Sequence, residues 1–267
     1  MATLSALHCY PIKSCAGHAL TQAELMPRGI RYDREWMVVS DEGVFLSQRS
    51  HPALALVLPA PGENTLALSA PGMPDLTIAT PDEGDPIGVT VWDDRCEGVD
   101  QGETAAQWFE AYLRTPCRLV RMRSSFTRIV DQTYAPRPTD QVGFADGFPI
   151  LLLSEASLED LNTRLPVPVP MNRFRPNMVV TGCAPYAEDG WKAIRINGLT
   201  LEVVKPCARC TIPTVDQTTG TKEVNQEPLR TLTTYRRYGN MVFFGQNVTY
   251  AGMGTLTVGD DLTIVTP

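Results

Sequence analysis

Two cysteines, Cys207 and Cys210, lie three positions apart in the segment VKPCARCTIPTVDQTTG at residues 204–220. Lys205 and Arg209 flank them, and a nearby cation favours the thiolate form of a cysteine, which attacks electrophiles and binds soft metals. No other part of the sequence combines reactive groups as densely. We therefore expect the chemistry of the protein to be centred on this segment.

Three interpretations of the cysteine pair are open. Half of a zinc site would need further ligands, but the other five cysteines are isolated and the three histidines are unpaired. A thioredoxin-like redox pair would need its first cysteine at the start of a helix, whereas β-type sequence precedes Cys207. The third interpretation is a pair of buried core residues, because free cysteine is among the most buried residue types.

Two arginines that lie close together in the sequence suggest a binding site for an anionic ligand. Arg173 and Arg175 stand close together in a chain whose net charge is -7, and guanidinium binds phosphate through a planar fork. Surface solubility is the alternative for Arg173. Lys13, Ser14 and Arg34 offer similar donors near the N-terminus. Neither GxGxxG nor GxxxxGK[ST] occurs, so we expect no Rossmann or P-loop phosphate site.

Three carboxylates near the C-terminal segments have competing interpretations. Glu188 and Asp189 lie in a loop between expected strands, where they either stabilise a turn or contact a substrate. Asp216 is expected to fix the turn that leads to Gly220.

The whole chain narrows the class of protein. Its 267 residues are enough for one large domain or two small ones, and its negative charge argues against nucleic-acid or anionic-membrane binding. Seven scattered cysteines favour a reducing compartment. Neither a secretory signal nor a membrane-spanning run is evident. We expect a cytoplasmic protein.

Most elements that would position these residues are expected to be short strands. Spacing predicts a helix over residues 103–113, Ser154 is expected to cap a second, and a third is expected over residues 228–237. Residues 34–39 and 44–49 suggest a hairpin, and Asn197-Gly198 suggests another. Further strands are expected, among others, at residues 54–58, 199–204, 241–244 and 247–250. The pattern is typical of a β-barrel-like core with helices attached, a mixed, β-rich α/β fold.

A set of short motifs, in this order, resembles a known family. They are Tyr10-Pro11-Ile12-Lys13-Ser14, Asp33-Arg34-Glu35-Trp36, Ser154-Glu155-Ala156-Ser157-Leu158, Phe174-Arg175-Pro176-Asn177, Tyr186-Ala187-Glu188-Asp189, Cys207-Ala208-Arg209-Cys210 with Thr214-Val215-Asp216, and Phe244-Gly245-Gln246. The chain resembles MOSC-domain proteins with the N-terminal MOSC extension, and is most similar to the bacterial YcbX-like proteins and the eukaryotic mitochondrial amidoxime reducing components. The match covers nearly the whole chain.

The resemblance implies a fold and a cofactor. Residues 1–34 and 123–267 would form the MOSC β-barrel and residues 35–122 a smaller α/β extension, with a molybdenum cofactor (Mo-molybdopterin) at the seam. By the same resemblance Cys210 is the catalytic residue and the metal ligand, which suits the soft character of a thiolate. The residues implied to bind the cofactor are Lys13, Ser14, Arg34, Asp146, Gly147, Phe148, Arg175, Ala208, Arg209 and Asn247.

The resemblance also implies an activity, the reduction of N-hydroxylated or N-oxide small molecules by removal of oxygen. No C-terminal iron–sulfur cysteine pattern and no membrane anchor are evident, so electrons are expected to come from a separate ferredoxin- or flavoprotein-like partner. The alternative function is that of a cofactor carrier or a sulfur-transfer protein that uses Cys210 as a persulfide.

Overall fold

The computed structural model describes residues 2–265. The strands are β1 (Ala2–Cys9), β2 (His18–Leu20), β3 (Gln22–Met26), β4 (Gly29–Ile30), β5 (Trp36–Val39), β6 (Leu58–Pro61), β7 (Thr65–Ser69), β8 (Leu76–Ala79), β9 (Ile87–Val91), β10 (Asp94–Asp100), β11 (Arg118–Met122), β12 (Ile150–Ser154), β13 (Met178–Thr181), β14 (Ala193–Ile196), β15 (Leu199–Ala208), β16 (Arg237–Tyr238), β17 (Met241–Tyr250), β18 (Gly254–Thr257) and β19 (Asp261–Val265). The α-helices are α1 (Glu103–Leu113), α2 (Glu155–Arg164) and α3 (Leu229–Thr233).

Seven strands form a closed barrel. They follow the order β12-β13-β1-β19-β14-β15-β17, and β17 pairs back to β12. Only β12 and β13 run parallel among these pairs. Closure leaves no free edge in the barrel, and its interior is filled by fully buried side chains such as Leu4, Leu7, Leu201 and Val248. The β-rich barrel architecture predicted from the sequence is confirmed.

A second sheet, in the order β5-β11-β10-β9, carries helix α1 on one face. Strand β5 is buried on both faces, as expected for a strand between two layers. Trp36 and Val38 pack with Phe109 of α1, while Met37 and Val39 pack with apolar residues of the opposite face. Two smaller three-stranded sheets have the orders β18-β3-β4 and β6-β7-β8, and β2 and β16 extend the barrel sheet by pairing with β1 and β17.

Several local predictions are confirmed. The helix over residues 103–113 has the bounds of α1. Ser154 caps α2, and its hydroxyl accepts a hydrogen bond from the Ser157 backbone N–H. Asn197 and Gly198 make the β14–β15 turn with φ of 49° and 78°, the conformation that this dipeptide favours. None of the helices within residues 2–265 combines the length and apolarity that a bilayer crossing requires.

Other predictions are right only in part, or wrong. The hairpin expected from residues 34–39 and 44–49 is confirmed next to its turn, where Phe45 pairs antiparallel with Val39. Its second strand then stops, because the Ser47 carbonyl accepts the N–H groups of Ser50 and His51. Residues 54–58 were expected to be a strand, but a 3-10 helix covers Pro52–Leu56, with the proline in its first turn.

The C-terminal third holds two more differences. The helix expected over residues 228–237 is limited to α3, and the end of that segment enters β16 instead, where Arg237 pairs with Val242 of β17. The two strands expected at residues 241–244 and 247–250 form the single strand β17, which continues through Gly245 at a φ of 84°.

Candidate functional site

One cavity brings together all eleven site residues expected from the sequence. The predicted residues that line it are Lys13, Ser14, Arg34, Asp146, Gly147, Phe148, Arg175, Ala208, Arg209, Cys210 and Asn247. They come from six separate stretches of chain, so the fold rather than sequence proximity assembles the cavity.

The turn after β1 carries Lys13 and Ser14 into the cavity. Its backbone is tied to the second sheet, since the Lys13 N–H donates to the Trp36 carbonyl at 2.8 Å. The buried Lys13 ammonium donates to the Phe144 carbonyl at 2.8 Å and to Asp146 Oδ1 at 2.5 Å. Burial lowers the pKa of Lys13, and the Asp146 carboxylate opposes that shift.

Asp146 opens the loop of residues 146–148 on the same wall. It also accepts a hydrogen bond from Trp92 Nε1 at 3.1 Å. Burial of the pocket would raise the pKa of Asp146, but the Lys13 ammonium outweighs it and holds that pKa well below its usual range. The Asp146 side chain is 59% exposed, so burial penalises its charge less than the ion pair stabilises it.

Arg34 lies beside this turn and is held by three acceptors. Its guanidinium donates to Asp33 Oδ2 at 2.6 Å, to Asn177 Oδ1 at 2.9 Å and to the Arg175 carbonyl at 3.3 Å. Burial works against the charge, but the ion pair with Asp33 prevails and raises the pKa of Arg34. Arg34 is therefore a fixed cation, and its position is set by both halves of the chain.

Arg175 is the least satisfied of the lining cations. Both Nη atoms are buried and have no hydrogen-bond partner, and the guanidinium lies over the Tyr10 ring at 4.3 Å. Burial lowers the pKa of Arg175 to about 10, so the group stays charged at neutral pH. A buried, charged and unpaired guanidinium is costly, and it marks a place built to receive an anion.

Three of the cavity residues have left-handed backbone conformations that non-glycine residues seldom adopt. The φ angles are 69° for Ser14, 48° for Arg34 and 57° for Arg175. Such conformations cost of the order of 1–3 kcal/mol each and cluster at ligand sites. Their convergence on one cavity identifies it, independently of its shape, as a candidate functional site.

The cysteine segment forms the opposite wall. Arg209 is fixed by three hydrogen bonds: its N–H donates to the Val242 carbonyl at 2.8 Å, and its guanidinium donates to the Phe174 carbonyl at 2.8 Å and to Cys207 Sγ at 3.1 Å. Cys207 and Cys210 are both partly exposed and both line the cavity. A thiol from this wall therefore faces the cationic wall across one pocket.

An irregularity between β15 and β17 turns the cysteine segment toward the cavity. Pairing runs from Pro206–Gln246 to Ala208–Phe243, so β17 has two residues opposite Cys207. Pro206 has no N–H for a ladder bond, and Gly245 supplies the positive φ. Bulges of this kind redirect side chains next to functional sites.

The remaining predicted residues line the floor of the cavity. Gly147 has open space where a side chain would be, which leaves its backbone accessible. Phe148 packs edge-to-face with Tyr134, with ring centroids 6.3 Å apart. Asn247 pairs with Leu151 and Lys205 in neighbouring strands of the barrel.

The charge of the lining suits an anionic ligand. Five cations line the cavity, namely Lys13, Arg34, Arg49, Arg175 and Arg209, against one lining carboxylate, Asp146. A phosphate-bearing cofactor fits this surplus, and the two bare Nη atoms of Arg175 provide the fork that phosphate prefers. The residues present therefore fit a molybdopterin with a terminal phosphate.

The predicted site residues did not include Asn177 and Arg49, two polar residues that line this cavity. Asn177 bridges Arg34 and Asp33, and its position within the Phe174-Arg175-Pro176-Asn177 motif was a usable signal. Arg49 lay in a segment expected to be an ordinary strand, and no local signal marked it.

Arg173 and Asp216, for which the sequence suggested roles, lie outside the cavity lining and contact each other. Arg173 is buried rather than a surface solubility residue, and it donates to the Pro213 carbonyl at 2.9 Å and to Asp216 at 3.1 Å. Asp216 accepts the N–H groups of Thr218 and Thr219, which confirms its role in the turn.

Glu188 lies away from the cavity lining, so of its two interpretations the structural one holds. It is 1% exposed and accepts hydrogen bonds from the hydroxyls of Ser154 and Ser157 at the start of α2. Asp189 is likewise engaged, by Arg236 and Gln246 at 2.6 Å each.

Two known domain families match the chain. The MOSC N-terminal beta barrel domain matches residues 1–116, and the MOSC domain matches residues 139–263. The chain belongs to the family of MOSC-domain proteins that carry this N-terminal domain.

Individual relatives extend the match over nearly the whole chain. Mitochondrial amidoxime-reducing component 1 of Mus musculus is 39% identical over 98% of this chain and 82% of that protein. Mitochondrial amidoxime reducing component 2 of Bos taurus is 36% identical over 97% of this chain and 82% of that protein. Molybdenum cofactor sulfurase of Danio rerio is 34% identical over 88% of this chain but covers only 30% of that protein.

Proposed function

We propose that the protein is a molybdenum-cofactor-dependent reductase of N-hydroxylated compounds. The observation that carries the proposal is the pair of bare, buried Nη atoms of Arg175 in the same cavity as the partly exposed thiol of Cys210. A phosphate-tailed metal cofactor needs both a cationic anchor and a soft ligand. The amidoxime-reducing relatives support the class of substrate.

Specific residues of this chain would hold the cofactor. Arg175, Lys13 and Arg34 would hold the phosphate, with Ser14 adding a hydroxyl donor, and the Cys210 sulfur would be the protein's ligand to molybdenum. Residues 146–148 and 208–209, together with Asn247, would contact the pterin. When bound, the cofactor supplies two-electron redox chemistry at the metal.

The stoichiometry of the proposed reaction defines its substrates and products. An amidoxime, two electrons and two protons give an amidine and water, so a reductant must supply two electrons for each turnover. We propose a ferredoxin- or flavoprotein-like donor. The cytoplasmic location stays a prediction, and the names of the amidoxime-reducing relatives place those proteins in mitochondria.

The test measures metal and activity on the same preparations. Protein from a cofactor-producing host is assayed for molybdenum by elemental analysis and for benzamidoxime reduction with a reduced viologen as donor. We expect both in the wild type, both lost in Cys210→Ala, and both kept in Cys183→Ala, a control thiol outside the cavity. Metal-free wild-type protein contradicts the proposal. Metal lost from Cys207→Ala but kept by Cys210→Ala would move the ligand to Cys207.

A second function is favoured by the match to molybdenum cofactor sulfurase. In this alternative the protein carries the cofactor or transfers sulfur, with a persulfide on Cys210. It predicts a mass increase of one sulfur on the Cys210 peptide and no reduction of benzamidoxime by molybdenum-loaded protein.

A further inference from the structure

Arg49 is a cavity cation that neither the sequence motifs nor the expected cofactor contacts use. It lines the same cavity as Cys210, and its Nη1 atom is buried without a hydrogen-bond partner. Its backbone is held in place, because Lys222 donates a hydrogen bond to the Arg49 carbonyl. Arg49 is therefore held at its backbone, while the Nη1 atom of its side chain lacks a hydrogen-bond partner.

Two aromatic rings hold the Arg49 guanidinium. It lies 4.2 Å from the centroid of Trp92 and 5.3 Å from that of Phe45, and the two rings meet edge-to-face at 5.4 Å. Rings attract a cation without neutralising it, so the charge stays available to a ligand. Trp92 is itself fixed, by its hydrogen bond to Asp146 and by a left-handed backbone with φ of 56°.

Arg49 occupies different surroundings from Arg175. Arg175 packs on Tyr10, whose ring also carries Arg34, so these two arginines form one group beside the β1 turn. Arg49 packs on rings from the second sheet and its adjoining turn. The nearest lining carboxylate, Asp146, is already engaged by Lys13 and Trp92. A cofactor with a single phosphate, held at Arg175, leaves Arg49 free for a second oxyanion.

We propose that Arg49, held on Phe45 and Trp92, binds a carboxylate or similar oxyanion on the substrate. The inference rests on the proposed reductase function and adds a substrate class to it, namely N-hydroxylated compounds that carry an anionic group. A guanidinium that is pre-positioned and has a buried, unpaired Nη1 atom gains a charge-assisted hydrogen bond at little ordering cost. The aromatic rings beside it would favour a planar, aromatic body for the same molecule.

The test compares two substrates that differ by one carboxylate. Benzamidoxime and 4-carboxybenzamidoxime are reduced by wild-type protein, Arg49→Gln, Arg49→Lys and Arg95→Gln, each at measured molybdenum content. Arg95 is an exposed arginine on β10, close to Trp92 in sequence, and controls for the loss of one positive charge. The readout is the ratio of kcat/KM for the carboxylated substrate to kcat/KM for the neutral one.

We expect Arg49→Gln to lower this ratio about tenfold or more, the size of one charge-assisted hydrogen bond. Arg49→Lys should keep part of the preference, and Arg95→Gln should keep all of it. An unchanged ratio in Arg49→Gln overturns the inference. Loss of molybdenum from Arg49→Gln also overturns it, because the oxyanion would then be the phosphate of the cofactor.

A binding measurement separates this inference from the proposed function. Calorimetry compares 4-carboxybenzamidine with benzamidine on the same preparations, without any turnover. If the wild type reduces neither amidoxime, the reductase proposal fails, and the calorimetry still decides the role of Arg49. Tighter binding of the carboxylated amidine to wild type than to Arg49→Gln supports the anion site, and equal binding overturns it.

Discussion

Gln48 and Gln217 exchange two side-chain hydrogen bonds, at 3.1 and 2.9 Å, across 169 residues of sequence. Gln48 is fully buried, and its amide nitrogen also donates to the Ser14 carbonyl at 2.7 Å. The pair thus joins the turn that carries Ser14 to the segment that follows Cys210. Two walls of the cavity are held together by one reciprocal amide contact.

This contact predicts non-additive stability. Gln48→Ala and Gln217→Ala should each lower the free energy of unfolding by about 1–3 kcal/mol, because each deprives the remaining amide of the two hydrogen bonds of the pair. The double variant should lose at least about 0.5 kcal/mol less than the sum, since the second change removes a group already without its partner. Denaturant unfolding of the four proteins measures the coupling. Additive losses would show that the amides act independently.

Arg175 predicts a conflict between stability and cofactor binding. Arg175→Met should raise the free energy of unfolding of cofactor-free protein by about 1–4 kcal/mol, because it removes a buried, unpaired charge. The same variant should retain little molybdenum. Thermal unfolding of cofactor-free protein and elemental analysis measure the two effects.

Arg173→Met is the matched control for this prediction. Arg173 is as deeply buried as Arg175 but donates to Pro213 and Asp216, so its loss should destabilise the protein. Lower stability in both variants would mean that Arg175 is satisfied by contacts within the protein.

The Lys13–Asp146 pair predicts a pH dependence of stability. The pKa of Asp146 is lower in the folded protein than the usual value of about 3.9 in an unfolded chain. Its contribution is therefore complete above the unfolded pKa and is lost as pH falls through the folded pKa. The difference in unfolding free energy between wild type and Asp146→Asn should be constant from about pH 6 to 8 and shrink in acid.

Asp93→Asn, which alters an exposed carboxylate close to Trp92 in sequence, controls for net charge. Urea unfolding at several pH values gives the profile for each protein. A difference between wild type and Asp146→Asn that grows toward acid pH is incompatible with a lowered pKa of Asp146.

Gly245 predicts a steric effect on barrel closure. An added Cβ would lie 2.9 Å from the Leu152 carbonyl oxygen and 2.9 Å from Leu153 Cγ, at a φ of 84°. Gly245→Ala should therefore lower the free energy of unfolding by a total of the order of 3 kcal/mol, which is more than backbone strain alone would cost. Gly239→Ala is the matched control, since Gly239 has a φ of 59° but open space around it, and should cost about 1–2 kcal/mol. Equal losses would mean that β12 and β17 separate easily at this point.

Local signals in the sequence were sufficient for much of the fold. The spacing of apolar residues determined α1 to the residue, and Ser154 determined the start of α2. Local signals failed where hydrogen bonds to a neighbouring carbonyl ended a strand, as at Ser47, and where pairing of β16 with β17 replaced the expected end of a helix after α3. In both cases the apolar pattern was right and the backbone conformation was not.

By itself the sequence determined which chemical groups the site would contain: a CxxC thiol, cations from both ends of the chain and a glycine-bearing turn. The tertiary structure decided which of these groups have a hydrogen-bond partner within the protein and which do not. Arg173 and Arg175 look equivalent in sequence, yet one is bonded to Pro213 and Asp216 and the other has two bare Nη atoms. Likewise, only packing on Phe45 and Trp92 distinguishes Arg49 from a surface arginine. The reason is that side-chain type is local information, whereas whether a buried charge finds a partner depends on residues far away in the chain.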